Sequence, residues 1–344
     1  MQIAELSAPH CFRLIDAPHV ENPAPGQIQV RVSAVGICGS DLHYFSEGGI
    51  GDARCLYPMV LGHEPAGEVL RTGAGVTGWS PGDRAVLEPA HYCYHCEFCM
   101  TGRHNVCANI RFMSMPDEPG FFREIVNIPS RNLLPLPKHL SEAEGALVEP
   151  LAVALHSMQF AVPRPGETAV VFGAGPIGLL TIALLKLSGV TRIWAVEPVE
   201  ARRQLARLLG ADATLDPTAA DPAREILRDT VNRGVDMAID CAALGDSINQ
   251  GIQATRNAGR VVVTGIPPQD EISLAFHIMR RKELAFYSVR RSNHDSEAAL
   301  RLLSMHPQRF APMLTHERPL SAIQSAFELC ESHADGVGKL TIRP

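Results

Sequence analysis

Four cysteines, Cys93, Cys96, Cys99 and Cys107, stand at the spacing C-x2-C-x2-C-x7-C. Close pairs of thiols let one turn wrap a tetrahedral ion, so the run predicts a closed, structural zinc site with no position left for a substrate. A disulfide knot fits these spacings less well. C-x2-C-x2-C also occurs in iron–sulfur proteins, but nothing else in the chain asks for one-electron chemistry. Elsewhere, Cys38, His63 and Glu64 each follow an apolar, strand-like run and sit beside Gly39 or Gly62. A thiolate, an imidazole and a carboxylate are three ligands, which leave a zinc ion one open position for water or substrate. Sequence separation alone does not join them.

A third constellation is Gly173-Ala-Gly175-Pro176-Ile177-Gly178, after the β-branched run Val170-Val171 and before the apolar run Leu179-Leu180. It reads as G-x-G-x-x-G between a strand and a helix, where the glycines allow a tight turn and close approach of a pyrophosphate. Free amides at the helix start favour the anion, and Pro176 suits the first helical turn. Glu197 follows Gly178 at the spacing of about 20 residues that places a carboxylate on a ribose 2′-hydroxyl. Such a carboxylate repels a 2′-phosphate, so NAD is expected rather than NADP. Arg202 has two readings, a cover for the adenine or a solvated helix arginine.

The elements that must position these residues change texture near Leu140. From Ile3 to about Arg84 the chain reads as short strands broken by Pro and Gly, with Ile28-Gln-Val-Arg-Val-Ser alternating as a half-buried strand does. Gly36-Ile-Cys-Gly-Ser-Asp reads as a turn, the zinc lobe spans about 88–110, a strand begins at Phe122, and Pro129 to Pro137 reads as a loop. Ser141 and Glu144 form a capping-box signal for a helix. Strands are then expected at Ala169–Phe172, Arg192–Val196, Ala213–Leu215, Val235–Asp240 and Arg260–Gly265. Helices are expected between them at Ile177–Leu187, Glu200–Leu209, Ala223–Asn232 and Ser247–Asn257. That alternation implies a doubly wound parallel sheet. The chain is expected to leave the sheet near Leu284 and to end with helices near Ser296–Ser304 and Ser321–Cys330 and a strand Lys339–Ile342. The fold class is therefore α/β, a β-rich domain over 1–150 and 285–344 with a dinucleotide-binding domain over 151–284.

The chain has 344 residues, 46% hydrophobic and 20% charged, with a formal charge of −6. No Lys/Arg run offers a nucleic-acid surface. The start Met1-Gln-Ile-Ala-Glu-Leu shows no secretory pattern, and five cysteines outside the lobe are scattered, so a reducing, cytoplasmic setting is expected. Thr168–Leu187 is long enough to span a membrane, but Gly173, Gly175, Pro176 and Gly178 break it, and a strand–turn–helix is expected instead.

Taken together, Gly62-His63-Glu64-x-x-Gly67, Gly36-Ile-Cys38-Gly-Ser-Asp-Leu-His, the four-cysteine run, Glu149-Pro-Leu-Ala-Val-Ala-Leu-His156 and the glycine loop resemble the zinc-containing alcohol dehydrogenases of the medium-chain family. The resemblance runs through most of the chain. Within the family it is nearest to the polyol branch of sorbitol, xylitol and L-idonate dehydrogenases, with threonine and butanediol dehydrogenases beside it. It implies a GroES-like catalytic domain, a Rossmann domain, a catalytic and a structural zinc, and NAD. It implies that Cys38 and His63 hold the catalytic zinc and that Glu64 and Glu149 complete its shell, directly or through water. Glu149 stands where alcohol dehydrogenase has a second cysteine. Asp41 would hold the other nitrogen of His63, Ser40 would touch the substrate hydroxyl, and His43 would pass its proton outward. Tyr44 and Arg290 would line a polyol pocket, although Tyr44 also reads as a core aromatic. At the arginine position the branch usually shows Phe-Arg, whereas this chain has Val289-Arg290-Arg291. The implied reaction is oxidation of a polyol to a ketose by a homotetramer or a dimer. A threonine or butanediol dehydrogenase and a non-catalytic nicotinamide-binding protein are the alternatives.

Overall fold

The strand Gln27–Gly36 is the axis on which the first half of the structure is built, and the computed structural model describes residues 1–344 throughout. Val30, Val32 and Val35 are buried along it while Arg31 is exposed. Around it the strands lie in the order Leu133–Pro135, Arg84–Leu87, Glu64–Thr72, Gln27–Gly36, Lys339–Arg343 and Leu314–Pro319, with Ile125–Pro129 also paired to Gln27–Gly36. Phe45, Phe122 and Phe327 are fully buried beneath this sheet, with ring centroids 5.1 and 5.7 Å apart. Full burial of such a side chain contributes about 1.5–3 kcal/mol.

Register decides what meets at the end of the axis. Gly36 lies opposite Glu64 on one neighbouring strand and opposite Thr341 on the other. The chain then turns directly into the helix Gly39–Glu47, closed by Gly48 at φ 69°. The expected turn at Gly36–Asp41 is therefore the start of a helix. The Asp41 carboxylate accepts from Cys38 N at 3.1 Å and so satisfies one of the free amides that a helix start leaves. The expected loop Pro129–Pro137 also contains a short strand, Leu133–Pro135, since Leu133 finds a partner in Leu87.

A second sheet is wholly parallel, in the order Ala213–Leu215, Arg192–Val196, Thr168–Phe172, Val235–Asp240, Thr255–Val263 and Ala285–Ser288. This is the 3-2-1-4-5-6 order of a doubly wound dinucleotide fold. Helices at Pro176–Leu187, Glu200–Leu209, Pro222–Asp229 and Ser247–Ala254 connect its strands. Val170, Trp194, Val196, Ile226 and Val261 form part of its core. The helix expected over Ala223–Asn232 runs from Pro222 to Asp229, since Val231 and Asn232 lie at φ 52° and 62°, and two further stretches differ from expectation. The helix expected to reach Asn257 stops at Ala254, because Thr255 is already extended at φ −77°, ψ 138°, and the next strand begins there instead of at Arg260. The chain also does not leave the sheet at Leu284, since Ala285–Ser288 pairs with Arg260–Val263 as a sixth strand.

The two units reflect this. One consists of Met1–Glu149, Ser296–Pro307 and Leu314–Pro344, the other of Pro150–Asp295 and Gln308–Met313. The return expected at 285 thus occurs at Ser296, with a short later segment belonging to the second unit. No helix is long and apolar enough to cross a membrane.

Candidate metal centre and dinucleotide loop

Cys38 ends the turn after Gln27–Gly36, and His63 and Glu64 sit where the strand Glu64–Thr72 begins. One ligand atom from each of the three lies within 4.8 Å of the others. His63 Nδ1 donates to Asp41 Oδ1 at 3.3 Å, while its Nε2 is 3.5 Å from Ser40 Oγ. Engaging Nδ1 fixes the tautomer and leaves Nε2 to act as a ligand. Asp41 is fully buried and also accepts from Cys38 N at 3.1 Å, Gly62 N at 3.3 Å and Ser114 Oγ at 3.1 Å. Burial alone would raise its carboxyl, but the charge on His63 and these donors outweigh it and hold Asp41 below the ordinary carboxylate range. Burial likewise opposes a charge on His63, yet Asp41 and then Cys38 raise its pKa well above that of a free imidazole.

Glu64 is fully buried and pairs through Oε2 with Lys339, which is 1% exposed. Its Oε1 is buried with no hydrogen-bond donor. A buried carboxylate oxygen without a donor is costly, and a cation held by Cys38, His63 and Glu64 would supply the missing partner. The donor set and the orphaned oxygen therefore fit zinc. Glu149, half-buried in the first turn of the helix Val148–Ala161, is not among the three converging groups.

The sulfur of Cys93 lies 3.9 Å from that of Cys99 and 3.4 Å from that of Cys107, and the sulfurs of Cys96 and Cys107 are 3.9 Å apart. Zinc–sulfur bonds of about 2.3 Å imply a tetrahedral edge of roughly 3.8 Å. A disulfide needs about 2.05 Å, and no disulfide joins any of these four cysteines, so the knot is ruled out. Backbone N–H groups of Cys96 and Cys99 donate to the sulfurs of Cys93 and Cys96 at 3.4 and 3.5 Å. Backbone donors, first of all at His95, hold the Cys93 thiol down to about 5, whereas burial and the neighbouring sulfurs push Cys99 up to about 12.

In the glycine loop Gly173 has φ 85°, and a side chain on Gly178 would strike the Gly173 carbonyl. Gly175 is different. Its backbone is ordinary, at φ −68°, and a Cβ there would meet nothing. Folding does not require glycine at 175, but a phosphate approaching the helix Pro176–Leu187 does, so the loop fits a dinucleotide. Glu197 is 5% exposed; its Oε2 accepts from Ala174 N at 2.8 Å and its Oε1 from Val199 N at 3.0 Å. Each oxygen keeps a further lone pair for a ribose hydroxyl.

The remaining expected residues are spread over both units. Tyr44 is buried in the first core, its hydroxyl donating to Met115 Sδ at 3.3 Å. His43 Nδ1 is 3.0 Å from Glu47 Oε1 on a partly exposed helix face. Arg202 is half-buried, and Arg290 is exposed beyond the sixth strand of the parallel sheet. Three contributors escaped the sequence reading. Ser114 holds Asp41, Lys339 holds Glu64, and Arg203 donates to the carbonyls of Glu197 and Pro198 at 2.6 and 2.7 Å. Only the double Arg202-Arg203 offered a signal, one turn into a helix after Glu197.

Comparison with known proteins agrees with this geometry. Residues 24–138 match the alcohol dehydrogenase GroES-like domain, and residues 176–305 match the zinc-binding dehydrogenase domain. A probable D-xylulose reductase A of Emericella nidulans is 36% identical over 86% of this chain and 83% of that protein. The sorbitol dehydrogenase of Bacillus subtilis is 32% identical over 88% of this chain and 86% of its own length. The crystal structure of 2R,3R-butanediol dehydrogenase from Bacillus subtilis superposes with a TM-score of 0.89 at 31% identity, covering 100% of this chain and 99% of that one. With a metal-ligand trio and a four-sulfur lobe in the first of these regions, and the helix that follows the glycine loop opening the second, the chain belongs to the zinc-binding alcohol dehydrogenases that carry a GroES-like domain, a family of oxidoreductases.

Proposed function

We propose that the protein oxidises a secondary hydroxyl of a polyol to a ketone with NAD, giving a ketose, NADH and a proton. The observation that carries this reading is the convergence of Cys38, His63 and Glu64, three ligands that leave a metal position for an alcohol oxygen. The sorbitol dehydrogenase and D-xylulose reductase names among its relatives support a polyol. Zinc, when bound, supplies the Lewis acidity that lowers a hydroxyl pKa by several units, and the nicotinamide supplies a hydride acceptor.

The chain's residues do the rest. Cys38, His63 and Glu64 hold the metal, and Glu149 reaches its shell through a water that the substrate hydroxyl displaces, so that one position stays open to the alcohol. Asp41 keeps His63 in the tautomer that presents Nε2. Ser40 takes up the substrate hydroxyl proton, and His43, three residues on and so on the same helix face, passes it toward Glu47 and solvent. Tyr44 is the polyol contact carried by the first unit and Arg290 the one carried by the second. Gly173, Gly175, Pro176, Ile177 and Gly178 receive the pyrophosphate, Glu197 the adenosine ribose, and Arg202 the adenine. The buried Glu197 carboxylate favours NAD over NADP.

A homo-oligomer, tetrameric or dimeric, is part of this proposal. Tyr94, Phe98, Met100 and Val106 expose apolar surface on the four-cysteine lobe, as contact surfaces do. The free thiols fit a cytoplasmic setting.

A second reading, a vicinal-diol dehydrogenase, is favoured by the likeness to the butanediol enzyme. Reduced cofactor formation from xylitol, sorbitol, L-idonate, threonine and 2,3-butanediol, each with NAD and NADP, separates them. The polyols with NAD should give the highest kcat/KM. Preference for butanediol would install the second reading, and no turnover of any alcohol by zinc-replete protein would sink both.

A further inference from the structure

Lys339 is an ammonium group with almost no water around it, in a strand far along the chain from every metal ligand. Its Nζ meets Glu64 Oε2 and donates to the Ile37 carbonyl at 2.8 Å, one residue before Cys38. Both side chains of the pair are at most 1% exposed. They meet over Gly36, which lies between their strands. A Cβ on Gly36 would collide with the Glu64 carboxylate and with Lys339 Cε, so the sequence keeps a side chain out of the one place that would part them. Ion pairs buried this deeply seldom add net stability over a well-packed apolar pair, and that directs attention to what the pair does.

What it does follows from the two oxygens of Glu64. One is held by Lys339. The other has no donor and belongs to a carboxylate within reach of Cys38 Sγ and the His63 ring nitrogen. Without Lys339, both oxygens would be available to a divalent cation, and a carboxylate in full charge would fill the position that an alcohol must enter. We propose that Lys339 is a positioning residue that shares Glu64 with the catalytic metal, holding the carboxylate back so that the fourth coordination position remains open to the substrate hydroxyl. This rests on the reading of Cys38, His63 and Glu64 as the catalytic zinc ligands.

The test follows zinc release to a chromophoric chelator from the full-length, zinc-loaded enzyme, alongside visible spectra of the cobalt-substituted protein. The four-cysteine lobe is the same in every variant, so differences report the Cys38 site. Lys339→Met is expected to slow release of the catalytic zinc by about tenfold, the scale on which residues behind metal ligands act. It should also shift the cobalt bands toward higher coordination and raise the polyol KM more than it lowers kcat. In a Glu64→Gln background the same substitution should change neither release nor spectrum, because Lys339 acts only through the carboxylate. Zinc release from Lys339→Met at the parent rate, or an equal shift in both backgrounds, would overturn the proposal. Should Lys339→Met alone fail to fold, comparing Glu64→Gln with Glu64→Gln/Lys339→Met still decides, and Lys339→Arg must restore the parent release rate. A protein that turns over no polyol would remove the proposed reaction, while the release and cobalt measurements would still judge Lys339.

Discussion

At the scale of single residues, the site works by leaving each ligand one task. Asp41 accepts four donors, from His63, Cys38, Gly62 and Ser114, and through them fixes the ring, the thiol's backbone and the turn between His63 and Leu61. Asp41→Asn puts an amide N–H where a lone pair is needed. Zinc affinity at the Cys38 site should fall by about 10–100-fold while the four-cysteine lobe keeps its metal. Competition against a chelator measures it, and an unchanged affinity would show that Asp41 does not orient His63. Cys38→Ser should go further, abolishing turnover with NAD affinity intact, as nucleotide titration can show. Cys38, His63, Glu64 and Asp41 were legible because their types are metal chemistry in themselves. Ser114 and Lys339 were not, since a serine and a lysine become informative only once folding brings them to Asp41 and Glu64 from 73 and 275 positions away.

At the scale of elements, the parallel sheet was legible from its alternation of apolar runs and helical stretches, and its errors lie where two local signals compete. Residues 255–259 continue a helical composition, but the extended backbone at Thr255 and pairing of Val235 with Thr255 make them strand. Ala285–Ser288 is short and half-exposed, as an edge strand is, and carries too little pattern to stand out. The helix Gly39–Glu47 was hidden by its glycines, although Asp41 near its start and Gly48 past its end were its cap signals. The glycine loop gives a paired test. Gly178→Ala forces a collision with the Gly173 carbonyl and should lower Tm by several degrees, on the order of 1–3 kcal/mol. Gly175→Ala meets nothing in the protein, so Tm should hold while NAD affinity drops by tenfold or more. Calorimetry and nucleotide titration read the two effects, and a Gly175→Ala protein with parent affinity would show that no phosphate sits there. At the start of two adjacent strands of the same sheet, Asp236 ties Thr168, Arg233 and Arg256 together. Burial would raise its carboxyl, but the two arginines and Thr168 outweigh that and hold it well below the ordinary carboxylate range. A depressed carboxyl contributes stability above its unfolded pKa, near 4, and loses it as pH falls toward the folded value. Asp236→Asn should therefore cost roughly 1–3 kcal/mol at pH 7, with the Tm gap from the parent closing below about pH 4. A gap that stays constant with pH would mean the charge is not what matters.

At the scale of the whole molecule, the two metal groups do different work and should be separable. Between Leu87 and Met113 no residue joins the main apolar core of the first unit, and two of the side chains buried there are the sulfurs of Cys99 and Cys107. A segment with so little apolar burial cannot offset its conformational entropy by packing, so its order must come from metal–thiolate bonds. The Cys38 group sits instead just past the end of the axial strand and at the start of its neighbour in a large sheet, and inherits its order from that core. Metal analysis should find two zinc equivalents per chain, matching the two ligand groups, and one in either Cys96→Ser or Cys38→Ser. The structural consequences should diverge. Cys96→Ser, or chelation of the parent, should open the lobe to trypsin at exposed Arg103 while the rest of the chain resists. Cys38→Ser should leave the lobe as resistant as in the parent. Equal cleavage at Arg103 before and after stripping would mean the lobe is held by its neighbours and not by its ion, and a single zinc equivalent in the parent would remove one of the two sites outright.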